Sequence, residues 1–171
     1  MKKFIVDEMC GRIVTWLRLL GYDTKYVGDL QSDDRDRTAL AVAILENRIL
    51  ITRDKDLIRK AEEAGVTVIS PPETKNIAEI LTHIFREIKE IPPEKPQSRC
   101  PLCNGELTRI PKEHAKEKVP PLTYKTYDVF YICKQCGKIY WHGSHWRHIK
   151  KILETIRKNL TSENQRWQAS S

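Results

Sequence analysis

The stretch Ile49 to Asp56, Ile-Leu-Ile-Thr-Arg-Asp-Lys-Asp, constrains the fold more than any other part of the chain. A short β-branched apolar run that stops abruptly at Thr52, Asp54 and Asp56 predicts a buried strand delivering carboxylates to the end of a sheet. Four apolar residues alone do not separate a strand from a piece of buried helix, so the other acids decide. They too follow candidate strands: Phe4-Ile5-Val6 leads into Asp7, and Thr24 to Val27 leads into Gly28-Asp29.

Helical spacing fills the intervals. Arg12 to Leu20 carries Ile13, Trp16, Leu17 and Leu20 on one side and stops at Gly21, where a left-handed residue costs least. Ser32, Asp33 and Asp34 offer N-cap chemistry for a second helix, whose apolar run Ala39 to Leu45 reads as buried up to Asn47. A third helix is expected from Asp56 to Ala64, then a strand over Val66 to Ile69 closed by Ser70-Pro71-Pro72. Asn76-Ile77-Ala78-Glu79 has the form of a capping box and opens an amphipathic helix to Ile88. Four strand–helix pairs in succession predict an α/β fold with a largely parallel, doubly wound sheet.

Sheets of this kind bind ligands beyond the carboxyl ends of their strands. Asp7, Asp29, Asp54 and Asp56 fall there, and Asp33, Asp34 and Asp36 start a helix facing the same edge. Crowded carboxylates repel and call for protons or cations. All-oxygen ligands suit Mg²⁺ or Mn²⁺. Two such ions roughly 3.5 to 4 Å apart serve phosphodiester hydrolysis. Any one Asp after a strand is also an ordinary turn or cap residue; the coincidence at several strand ends is what points to a site. No Ser-His-Asp arrangement competes, and His83 lies mid-helix.

Charge divides the chain. Residues 1–92 hold 15 Lys and Arg against 16 Asp and Glu, and residues 93–171 hold 15 against 7, so a net −1 precedes a net +8. An acidic site in one module and a polyanion-gripping surface in the other is the reading; many solubilising lysines are the plainer one. The boundary falls in Ile91-Pro92-Pro93-Glu94-Lys95-Pro96, a stiff Pro-rich connector. The expected organisation is a nuclease-like domain over 1–91, a linker over 92–99, a small second module over 100–160, and a polar, frayed tail over 161–171 in which Trp167 has no assignable role. No run approaches the length of a membrane helix and no signal peptide is evident, so the expectation is a cytoplasmic protein without a membrane partner.

The second module opens on Cys100-Pro-Leu-Cys103 and closes on Cys133-Lys-Gln-Cys136, with 29 residues between the pairs. Two C-x-x-C turns aim four thiolates at one structural Zn²⁺, and the long interval calls for an arm that includes a hairpin from Tyr127 to Cys133. Cys10 reads as a small buried residue. His142, His145 and His148 follow, but four cysteines already saturate one zinc, and Gly143-Ser144 caps a helix with Trp146, Ile149, Leu153, Ile156 and Leu160 on its apolar side. Lys150, Lys151, Arg157 and Lys158 lie off that stripe. With Lys112, Lys116, Lys118 and Lys125 and the aromatics Tyr124, Tyr127, Tyr131, Tyr140 and Trp141, they make a surface suited to phosphates and stacked bases.

Residues 1 to about 150 resemble the Mut-seven C-terminal RNase domain family, a branch of the PIN-fold ribonucleases followed by its own zinc ribbon. The stretches that carry the resemblance are Phe4 to Asp7, Gly11 to Asp23, Arg48 to Asp54 and Tyr140 to Trp146. It implies a PIN-like domain in which Asp7, Asp36, Asp54 and Asp56 are catalytic, the first three binding Mg²⁺ or Mn²⁺, with Asp33 and Asp34 as rivals for the middle position. The first helix lacks the acid that the family pattern often adds, so the set accommodates one ion or two. The implied activity is metal-dependent cleavage of RNA, with Arg12, Arg18 or Arg53 on substrate phosphates. A non-catalytic RNA-binding or ribosome-associated module, and a toxin-type nuclease, are the alternatives.

Overall fold

Apolar residues at the expected strand positions form a four-stranded sheet in the computed structural model, which describes the backbone of residues 1–169 and the side chains of residues 1–162. The strands β1 (Lys3–Val6), β2 (Asp23–Tyr26), β3 (Ile49–Ile51) and β4 (Val68–Ile69) lie in the order β2-β1-β3-β4, all parallel. Side chains alternate across the pleat. Phe4, Val6, Ile49, Ile51 and Ile69 enter one apolar cluster, and Ile5 and Leu50 enter another. Both faces are covered by helices, so β1 and β3 read as continuous apolar runs.

Helices α1 (Gly11–Leu19) and α4 (Ile77–Glu87) cover the first face; α2 (Arg35–Leu45) and α3 (Lys55–Glu63) cover the second. Opposite faces follow from topology, because β1 to β2 steps one way along the sheet while β2 to β3 and β3 to β4 step the other, and crossovers keep one hand. Helix α1 is followed by Gly21 at φ +93°, where a Cβ would also meet the Gln97 carbonyl oxygen at 2.8 Å.

Two local expectations are corrected. Only Ala39 and Ala43, one turn apart, bury α2, while Ile44 and Leu45 are 52% and 83% exposed. Two small residues let the helix lie close to the sheet, and the rest of its apolar run turns outward. The capping box at Asn76 is half formed. Asn76 caps Ala78 and Glu79 through its Oδ1, but Glu79 accepts from the Thr74 hydroxyl, and the Asn76 amide donates to that same hydroxyl.

A second, antiparallel sheet holds β5 (Leu107–Ile110), β6 (Phe130–Cys133) and β7 (Ile139–Trp141), in that order. Its arm carries a short helix α5 (Pro121–Thr126), and its core is Ala115, Val119, Phe130 and Ile139 with Tyr124, Tyr127 and Trp141 against them. The last helix, α6 (Ser144–Ala169), puts Leu153, Ile156 and Leu160 into the same cluster as Leu81, Ile84 and Phe85 of α4. The C-terminal helix, expected to group with the small module, therefore seals the core of the parallel sheet. From Thr161, where a frayed tail was expected, the backbone stays helical through Ala169; the Trp167 side chain and residues 170–171 lie outside the described residues.

The small module is tied to the start of β2 and the end of α1. Arg18, buried on α1, donates to the carbonyls of Thr24, Pro101 and Leu102 and to Asp29. The Arg18 carbonyl accepts from the Arg99 amide, and the Ser98 hydroxyl donates to Leu19 O. Asn104 completes the seam, donating to Asp23 at 2.7 Å and accepting from the Thr24 amide at 3.0 Å. The segment 92–99 thus ends docked on α1. Arg48, also buried, chelates both Asp23 oxygens at 2.9 and 3.1 Å and holds Asp23 facing Asn104.

Candidate functional site

The carboxyl ends of β1 and β3 adjoin at the point where the strand order reverses, and the chain leaves them on opposite faces of the sheet. Such a crevice is where open α/β sheets bind ligands. Asp7 follows β1 directly and is buried; its Oδ1 accepts from the Glu8 amide at 2.6 Å and its Oδ2 from the Thr52 hydroxyl at 2.9 Å. Thr52 also accepts from the Asp54 amide at 3.0 Å. One hydroxyl therefore bridges the crevice and sets both acids. Asp54 caps α3 through Oδ1 on the Leu57 amide at 2.8 Å.

Asp36 projects from the first turn of α2 and is partly exposed. Its carboxyl is held above the usual carboxylate range, first by burial and then by the negative charges of Asp54, Asp7 and Asp34, with Lys60 opposing them. Asp7, Asp36 and Asp54 thus share one electrostatic field. Asp34 instead caps α2 on the Arg37 amide, and Asp33 and Asp56 are exposed. Asp29 is turned toward Arg18 at 3.2 Å. Of the arginines expected near phosphates, Arg18 is buried in the seam with the small module and is removed from that role. Arg12 and Arg53 stay at the acid edge, donating to the carbonyls of Lys75 and Met9. Cys10 is buried beside them, and desolvation raises its thiol against the lowering effect of Arg53.

The four cysteines form the second centre. The Sγ atoms of Cys100, Cys103, Cys133 and Cys136 all lie within 4.8 Å of one another, the one such group of His, Cys, Asp or Glu among the described residues. Cys103 and Cys133 stand 3.4 Å apart and Cys100 and Cys136 3.7 Å. A tetrahedral thiolate site with metal–sulfur bonds of about 2.3 Å places sulfurs about 3.8 Å apart, so the cluster can hold Zn²⁺. Each turn closes on a left-handed residue, Asn104 at φ 66° and Gly137 at φ 72°. The Tyr140 hydroxyl lies 3.0 Å from Cys100 Sγ. Burial works against the Cys100 thiolate, but Tyr140 and the amides of Cys103 and Leu102 outweigh it and bring the thiol to about 7. Gly105 is fitted to the centre, because a Cβ there would meet Cys133 Sγ at 2.7 Å.

The three histidines take no part in such a cluster. His142 stacks on Trp146 at 4.2 Å, and His148 meets Trp16 edge-on at 6.0 Å. The expected aromatic surface is largely spent inside: Tyr124, Tyr127 and Trp141 pack in the small core and Tyr140 serves Cys100. The contacts of Thr52 with Asp7, of Asn104 across the seam and of Gly105 with the cysteines are not legible in sequence patterns, although Thr52 is marked as a hydroxyl ending a β-branched run two residues before an acid.

No curated protein and no solved structure matches the chain. The family model described as the Mut7-C RNAse domain matches residues 2–153, from β1 through the four cysteines and into α6. With both sheets and both candidate centres inside that match, the chain belongs to the Mut7-C RNAse domain family.

Proposed function

We propose that the protein is a divalent-metal-dependent ribonuclease of PIN-like architecture, with Asp7, Asp36 and Asp54 as the acids of its site and the cysteine centre as a structural zinc ribbon. The observation that carries this reading is the field shared by these three acids at the topological switch point, with Asp36 held toward its protonated form. The donor set fits Mg²⁺ or Mn²⁺ in kind: carboxylate oxygens suit hard ions that keep several waters and take one or two carboxylates. Bound there, such an ion supplies activation of water and neutralisation of the charge that builds on a phosphodiester. Thr52 fixes the Asp7 carboxylate, so its orientation is set before substrate arrives. Asp54 caps α3 with one oxygen, Oδ1, on the Leu57 amide. Asp56, exposed in the first turn of α3, would accept a proton from water or add a ligand oxygen. Arg12 and Arg53 line the same edge and suit substrate phosphates.

Incubating the zinc-loaded protein with RNA that contains paired and unpaired segments, with and without added Mn²⁺ or Mg²⁺, tests the reading. Cleavage should require the added ion and fall at least a hundredfold in both Asp7→Asn and Asp54→Asn, on the order of losing a metal-site ligand. Cleavage retained in both variants removes this site from the reaction. A second reading, a non-catalytic RNA-binding or ribosome-associated module, is favoured by one observation: Asp7 and Asp54 are both N-caps, a role that needs no metal. RNA binding without cleavage in wild type and variants alike would establish it.

A further inference from the structure

Tyr131, His142 and Trp146, in the small module and its adjoining helix, neither fill the module's core nor serve its cysteines. They form a column. His142 lies parallel to Trp146, with 4.2 Å between centroids and 6° between planes, and Tyr131 stands 5.5 Å from His142. The column walls a groove of about 740 Å³ between the zinc module and the first turns of α6, which Leu19, Pro101, Lys118 and Lys138 also line. Ordinary ligand clefts span about 300 to 1,000 Å³.

Charge selects the occupant. Lys118 and Lys138 are exposed, Lys150 acts on His142, and this half of the chain is strongly basic. A second copy would bring the same cations against themselves. An unpaired polyanion with flat apolar faces satisfies both the apolar wall and the basic border, whereas a duplex hides those faces. We propose that this groove seats the bases of an unpaired RNA segment, with Lys118 and Lys138 on its phosphates, as an anchor remote from the acid edge; this rests on RNA being the substrate.

Its remoteness follows from α1. The groove includes Leu19 at the end of that helix, while Asp7 precedes its start, and its nine residues span about 13 Å. A strand held in the groove must cover at least that distance to reach the acids.

Fluorescence anisotropy of the full-length, zinc-loaded protein with a labelled unpaired RNA of about 20 nucleotides, without added Mg²⁺ or Mn²⁺, reads binding apart from cleavage. The unpaired strand should bind tighter than a duplex of equal length. His142→Ala and Trp146→Ala should each weaken it about five- to a hundredfold, Lys118→Glu should weaken it as well, and Trp146→Phe should retain most of it. Zinc content and melting temperature identify any variant that fails to fold, and exposed His142 and Lys118 keep the test decisive if Trp146→Ala does. Equal binding by wild type, His142→Ala and Lys118→Glu, or equal affinity for duplex, overturns the anchor. So does a dimer that His142→Ala dissolves. Groove-dependent binding by a protein that never cleaves keeps the anchor and sinks the nuclease reading; cleavage with groove-independent binding does the reverse.

Discussion

Asp36 carries the clearest cost of the site. A carboxyl whose folded pKa lies above its unfolded value is disfavoured as an anion in the fold. The stability it lends is present below the ordinary carboxylate pKa and is lost as pH rises through the raised folded value. At neutral pH without divalent ions, Asp36→Asn should therefore melt about 1 to 2 °C above wild type. Added Mg²⁺ or Mn²⁺ should raise wild type more than the variant, since an ion that binds only the folded state stabilises it. A variant that melts lower than wild type in metal-free buffer contradicts a shared acidic field. Thr52 makes the complementary case, because its hydroxyl is fully buried and serves Asp7 and Asp54 at once. Thr52→Val keeps the shape and deletes both bonds, so urea unfolding should show a loss of about 1 to 3 kcal/mol. Cleavage by this variant should fall with the lost orientation of Asp7; unaltered cleavage would make Thr52 a packing residue only.

Among the elements, the end of α1 does the joining. Arg18 lies on an otherwise apolar helix face, and its guanidinium is matched by three carbonyls and Asp29. Replacing it with Met removes the guanidinium donors from the buried Thr24 carbonyl and the part-buried carbonyls of Pro101 and Leu102. The expected cost is about 1 to 3 kcal/mol, that of leaving a buried polar group without its partner. The amides of residues 100–104 should exchange faster with solvent in Arg18→Met, because the small module loses its side-chain tie to α1. If only α1 amides respond, the remaining seam bonds of Ser98, Arg99 and Asn104 hold the module without the Arg18 side chain.

At the scale of the whole molecule, the two sheets keep separate cores, and α6, which follows the second sheet in the chain, packs into the core of the first. Leu153, Ile156 and Leu160 cover Leu81, Ile84 and Phe85, and each such side chain contributes about 1.5 to 3 kcal/mol when fully buried. A fragment ending at Ser98 retains all four parallel strands yet lacks that cover. It should bind a hydrophobic dye and melt without a cooperative transition, whereas the full chain should unfold in one step. A cooperatively folding fragment would show that α6 is dispensable. Among the described residues, no helix is long and apolar enough to cross a membrane.

The sequence by itself determined the alternation of strand and helix, the parallel sheet, the acids at strand ends and the pairing of the cysteines. Each of these is written in short-range chemistry: period 2 against 3.6, a cap, a left-handed glycine, or two cysteines closing one tight turn. Only the tertiary structure decided that Arg18 is a buried tie and that Tyr124, Tyr127 and Trp141 are core. It also decided that α6 belongs to the front sheet and that the four-cysteine module docks at the end of α1 away from Asp7. These outcomes join residues some 65 to 85 positions apart, such as Arg18 with Leu102, Asp23 with Asn104 and Leu81 with Ile156. A buried arginine or tyrosine has the same local pattern as a solvated one; what separates them is whether a distant segment arrives with the matching carbonyl, carboxylate or apolar face.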